Sequence, residues 1–98
     1  MGITPKPGMV ALTGTIIIPT DMLAALIPLL DQHKALTRQE PGCLKFDVTQ
    51  DTDNSTLFHV DELFEDEAAF AQHQSEGAAR PWGAASKNLA RDFNKLVV

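Results

Sequence analysis

The sequence predicts a small α+β domain, a mostly antiparallel sheet with helices on one face. Three observations carry this. Residues 9–18, 43–50 and 56–64 are rich in Val, Ile, Thr, Leu and Phe, the composition of strands. Between the first two, Leu23, Leu26, Ile27 and Leu30 fall at i, i+3, i+4 and i+7, the spacing of one buried helical face. Pro19 and Pro41-Gly42 stand at the junctions, where a strand or helix must stop.

Residues 1–8 contain Gly2, Pro5, Pro7 and Gly8 and read as a flexible lead-in to a single domain over 9–98. Gly14 interrupts the first strand, which marks a bulge or a close backbone approach. After Pro19, Thr20 or Asp21 is placed to cap a helix that runs to about Arg38. Pro28 lies inside that helix, where a missing N–H and a ring clash disfavour it by roughly 3 kcal/mol, so a kink or restart is expected there. Pro41-Gly42 ends the helix. The polar stretch 51–55 is short enough to join the second and third strands as a hairpin. Glu65, Asp66 and Glu67 supply negative charge to the first turn of a short helix over 65–73. Gly77 is expected to interrupt it, and Pro81 to open a further helix carrying Trp82 to Leu89. The tail from Arg91 reads as a fourth strand. The order is then β-α-β-β-α-β, the ferredoxin-like split βαβ pattern.

At 98 residues the chain has a small core, which a second copy would help to cover. The strands carry apolar residues on both faces (Phe46, Val48, Phe58, Val60 and Phe64, but also Leu57 and Leu63), and a bare apolar sheet face is a partner surface. A homodimer packed sheet to sheet, a dimeric α/β barrel, is the expected assembly. A net charge of −5 argues against nucleic acid. Cys43 is the only cysteine, which suits a reducing, cytoplasmic setting and excludes an internal disulfide. Residues 1–8 lack the apolar core of a signal peptide, and the longest apolar run, 22–30, is too short to span a bilayer.

Glu62 is the most informative carboxylate. It alternates with Val60 and Phe64, so the three share one side of the third strand. A carboxyl on an apolar face pays desolvation, which raises its pKa toward that of a general base. The competing reading is an ion pair with Arg91. His73 closes the short helix, either as a proton-transfer group or as a C-terminal cap. His33 reads as a boundary residue, and His59 lies opposite Glu62, toward a partner. The histidines are isolated in sequence, so no metal site is expected. Trp82 either stacks on a planar ligand or packs the last helix on the sheet. Cys43 reads as a small buried hydrophobe.

Two blocks, Glu40 to Asp51 (EPGCLKFDVTQD) and Glu62 to His73 (ELFEDEAAFAQH), resemble in order and spacing the antibiotic biosynthesis monooxygenase family. The resemblance extends from about Met9 to Phe93. It implies a small dimeric ferredoxin-like protein. Enzymes of that family oxidise quinol-like or polyphenolic aromatics with molecular oxygen, without flavin, haem or metal. By this resemblance Glu62 and His73 are the catalytic candidates, and Val60, Phe64 and Trp82 the substrate-binding ones. Phe64 occupies a position where family members carry a tryptophan, and Ala78 one where they carry a histidine. Those departures keep two alternatives open: a non-catalytic dimeric ligand-binding or stress-associated protein, and an isomerase on the same fold. A hollow cleft lined by Glu62 favours an enzyme; a filled cleft with Glu62 locked in a salt bridge favours the non-catalytic reading.

Overall fold

A computed structural model describes residues 6–98. Residues 1–5 of the expected lead-in lie outside the described residues. The elements are β1 (Val10–Ile17), a 3-10 turn (Thr20–Met22), α1 (Leu23–Thr37), β2 (Cys43–Gln50), β3 (Leu57–Phe64), α2 (Glu67–Ala79), α3 (Pro81–Ala85) and β4 (Arg91–Val97). The sheet order is β2-β3-β1-β4, and every neighbouring pair is antiparallel. This is the ferredoxin-like arrangement that the element order predicts, with the C-terminal tail as an edge strand.

Alternation sets the two sheet faces. Val10, Leu12 and Ile16 of β1, Phe46 and Val48 of β2, and Phe58, Val60 and Phe64 of β3 are buried under the helices. Leu26 and Leu30 of α1, Ala69 and Phe70 of α2, and Trp82 of α3 complete that core. Each large side chain fully buried there contributes about 1.5–3 kcal/mol relative to exposure. The other face of the sheet is mixed rather than apolar: Leu57 and Leu63 are half-buried among His59, Thr49 and a Lys45–Asp61 ion pair of 2.6 Å. His59 sits on this face and meets Asp51 at 2.8 Å.

Several local expectations are corrected. Neither Thr20 nor Asp21 caps α1 with its side chain; a 3-10 turn leads into the helix instead. α1 continues through Pro28 without restarting, and Pro28 is on the exposed side. α2 starts at Glu67, with Asp66 as its cap accepting from Ala69 N at 2.8 Å, and runs past His73 to Ala79. Gly77 does not break it. A Cβ there would lie 3.1 Å from His33 Cε1, so this glycine permits close packing of α2 on α1. α3 is one short helix and ends well before Leu89. Cys43 is only half-buried, beside a bulge that leaves Leu44 unpaired and turned outward. Gly14 matches its expectation of a close approach: its φ is +153°, and a Cβ would fall 2.0 Å from the Asp92 carbonyl oxygen of β4.

Candidate active site

A cavity of about 650 Å³ lies between the sheet and the helices. Leu12, Ile16, Phe46, Val48, Val60 and Glu62 form its sheet side. Leu30 and His33 of α1, His73 and Gly77 of α2 and Trp82 of α3 form the helix side. Exposed Gln74, Lys87, Arg91 and Phe93 line its solvent end. The volume is that of a small-molecule site, largely apolar with a few convergent polar groups.

Glu62 reaches this cavity because β3 alternates. Phe58, Val60, Glu62 and Phe64 all turn inward, and Glu62 is 6% exposed. Its Oε1 has no hydrogen-bond partner among the described residues. His73 Nε2 lies 3.7 Å from this oxygen, too long for a hydrogen bond. Burial, reinforced by Glu40 and then Asp61, pushes the Glu62 carboxyl up to about 8, so it keeps its proton at neutral pH. The expected ion pair with Arg91 does not form; Arg91 donates instead to the Ser86 carbonyl at 2.7 Å and to Ser86 Oγ at 2.8 Å.

His73 is central to α2 rather than its cap. Nδ1 lies 3.0 Å from Glu40 Oε1, and both side chains are buried. Glu40 Oε2 lies 2.7 Å from Arg80 Nη2. Arg80 also donates to Thr37 Oγ1 at 3.0 Å. A carboxylate paired with arginine only accepts, so the imidazole must present Nδ1–H to Glu40. Burial lowers the His73 pKa despite the opposing effect of Glu40. The neutral ring then carries its lone pair on Nε2, the atom that faces Glu62. Phe64 stacks on this ring, centroids 5.0 Å apart and planes 29° apart, and Phe46 meets it edge-on at 5.3 Å. Phe64 is fully buried and does not line the cavity; it backs the imidazole.

His33 is a buried cavity residue rather than a boundary one. Burial first, then the neighbouring His73, Arg80 and Arg91, lower its pKa to about 4, so it stays neutral across the physiological range. Its ring lies parallel to Trp82 at 6.3 Å, with an interplanar angle of 25°. His33, Thr37, Glu40 and Arg80 were not singled out by sequence as site residues. One signal was present: Leu26, Leu30, His33 and Thr37 share a helical stripe, so the buried face of α1 continues into polar residues. Among the described residues no three His, Cys, Asp or Glu side chains come together as metal ligands. No described helix is long and apolar enough to cross a membrane.

The family model described as antibiotic biosynthesis monooxygenase matches residues 9–85. The chain belongs to the antibiotic biosynthesis monooxygenase family. The matched segment contains Glu40, Glu62, His73, Arg80 and Trp82, and ends before Lys87, Arg91 and Phe93. Solved structures agree on the fold. A Bacteroides thetaiotaomicron protein, suggested to be an oxidoreductase, superposes with a TM-score of 0.80 at 14% identity, covering 95% of this chain and 100% of that one. A Pseudomonas aeruginosa protein gives 0.75 at 27% identity, over 93% and 94%. A Caulobacter crescentus protein proposed as an antibiotic biosynthesis monooxygenase gives 0.74 at 19% identity, over 94% and 91%. No curated protein matches the sequence significantly.

Proposed function

We propose that this family member is a cofactor-independent monooxygenase acting on a quinol-like or polyphenolic aromatic. The observation that carries the reading is a hollow cavity in which His73 Nε2 faces the buried, unpartnered Oε1 of Glu62 at 3.7 Å. A filled cleft with Glu62 locked in a salt bridge would favour a non-catalytic protein; here the cleft is open and Glu62 Oε1 is unpartnered. Paired groups whose environments push their pKa values apart supply one base and one acid.

The chemistry suits a polyphenol with a hydrogen on the carbon para to a hydroxyl. His73 Nε2 takes the phenolic proton. The phenolate gives one electron to oxygen, and the phenoxyl and superoxide so formed combine at the para carbon. Glu62 donates its proton to the outer peroxide oxygen. The para C–H proton then returns to Glu62, the O–O bond breaks, and the departing hydroxide takes the proton from His73. The products are a quinone and one water. The apolar walls, with Trp82 and Val60 against the ring, hold the radical pair together and exclude water.

The enzyme is proposed to act in the cytoplasm as a homodimer formed through the open sheet face, in keeping with the free Cys43 and the half-buried Leu57 and Leu63. Light scattering at micromolar concentration should give twice the chain mass; a monomer refutes that assembly. An oxygen electrode tests the activity. Polyphenols should consume oxygen faster than they autoxidise, and His73→Ala should remove the increment. Absence of any increment across a polyphenol panel refutes the proposal.

A further inference from the structure

The cations of this acidic chain are distributed unevenly. Five of its eight Lys and Arg residues (Lys34, Arg38, Lys45, Arg80 and Lys95) sit within 3.7 Å of a carboxylate. Lys6 precedes β1 and does not line the cavity. The remaining two, Lys87 and Arg91, have no carboxylate partner among the described residues, and both line the solvent end of the cavity. Carboxylates outnumber cations thirteen to eight in the sequence, so partners were abundant. Arg91 is moreover partly withdrawn from water, enough that burial lowers its pKa. Its guanidinium donates to Ser86 O, Ser86 Oγ and Leu89 O, all neutral acceptors, and its Nε makes no bond to a described residue. Its charge is felt inside the cavity, where it helps to depress the His33 pKa. Glu62 is the only carboxyl on the cavity wall, and it is protonated at neutral pH. The lining therefore carries net positive charge in a protein of net charge −5.

We infer that Lys87 and Arg91 form an anion subsite at the mouth of the cavity, and that the aromatic substrate carries a carboxylate. This rests on the reading of the cavity as a substrate site. The division of labour follows from the walls. The ring lies between the sheet and Trp82, its hydroxyl toward His73, and its acid group toward the exposed end, where Arg91 can offer Nε–H and Lys87 a point charge. A partly desolvated guanidinium without a counter-ion is stabilised by an anion that arrives with the ligand. Both residues lie beyond the segment matched by the family model, Lys87 in the loop before β4 and Arg91 at the start of β4.

Calorimetric titration at pH 7 and low salt with 6-hydroxy-2-naphthoate and 2-naphthol tests the subsite, since the two probes share a ring system and differ by the carboxylate. The acid should bind about tenfold or more tightly, the scale of charge-assisted hydrogen bonds. Lys87→Gln should cut that preference about threefold or more and leave 2-naphthol binding unchanged. Arg91→Gln should act in the same direction, but Arg91 also ties down Ser86; Lys87 has no hydrogen bond or ion pair among the described residues, so its variant separates charge from folding. Equal affinity for the two probes, no binding of either, or a preference that survives both substitutions overturns the inference. A selective acid that binds while no polyphenol consumes oxygen upholds the anion subsite and defeats only the oxygenase reading.

Discussion

Replacing Glu62 by Gln should change the pH dependence of stability more than any other single substitution in the cavity. The side chain is 7% exposed, so solvent screens its environment little. The folded chain holds the Glu62 proton to about pH 8, whereas an unfolded carboxyl releases it near 4.5. Native stability from this group is complete below 4.5 and is lost as pH rises through 8, because the native state binds the extra proton in between. At 1.36 kcal/mol per unit the loss approaches about 5 kcal/mol, a large share of the total stability of a small domain. Glu62→Gln removes this titration. Its own packing penalty is independent of pH and cancels when one protein is followed across pH. The other titrating groups, His73 among them, remain in both proteins and largely cancel in the difference. Stability of the variant relative to wild type should therefore rise by about 4 kcal/mol between pH 5 and 9, most of it below pH 8. Urea unfolding of both proteins at one protein concentration over that range measures it. Parallel pH profiles, agreeing within about 1 kcal/mol, would refute the buried, unpartnered placement of this carboxyl.

Glu40→Gln should release His73 from its single tautomer and lower the pKa of both His73 and Glu62, since Glu40 raises each of them; imidazole ¹⁵N spectra and a carboxyl titration read the two effects. Arg80→Ala should destabilise the fold by about 3–5 kcal/mol in urea, because it leaves Glu40 buried without its counter-charge. Gly14→Ala should lose about 2 kcal/mol or more and speed hydrogen exchange along β4, because the new Cβ collides with the Asp92 carbonyl that pairs β4 to β1.

The strands and α1 were legible because alternation and 3.6-residue spacing act locally. Pro41-Gly42 and Pro81 marked real boundaries, since a turn or a first helical position is where those residues fit. Pro28 misled: near the start of a helix it removes one hydrogen bond on the exposed side, and packing of Leu26 and Leu30 overrides that loss. Gly77 misled for a related reason, since its value is in what it lets approach, His33, and that is a tertiary fact. At the site, the strand period alone put Glu62 on the same side as Val60. What the sequence withheld was pairing. His73 and Arg80 lie two turns apart along α2 and its C-terminal end, but Glu40 is 33 residues before His73 and meets both only through the packing of the loop after α1 on α2, so the carboxylate that orients His73 could not be found by spacing.

The proposed chemistry has an aromatic react directly with oxygen in this cavity under the control of His73. Its sharpest test is turnover under ¹⁸O₂ with a polyphenolic acid, with mass analysis of the quinone before carbonyl exchange. The expected outcome is one labelled oxygen per product molecule, the other atom in water, and loss of the labelled product in His73→Ala. Product without label, oxygen returned as hydrogen peroxide, or undiminished labelling in the variant would contradict it.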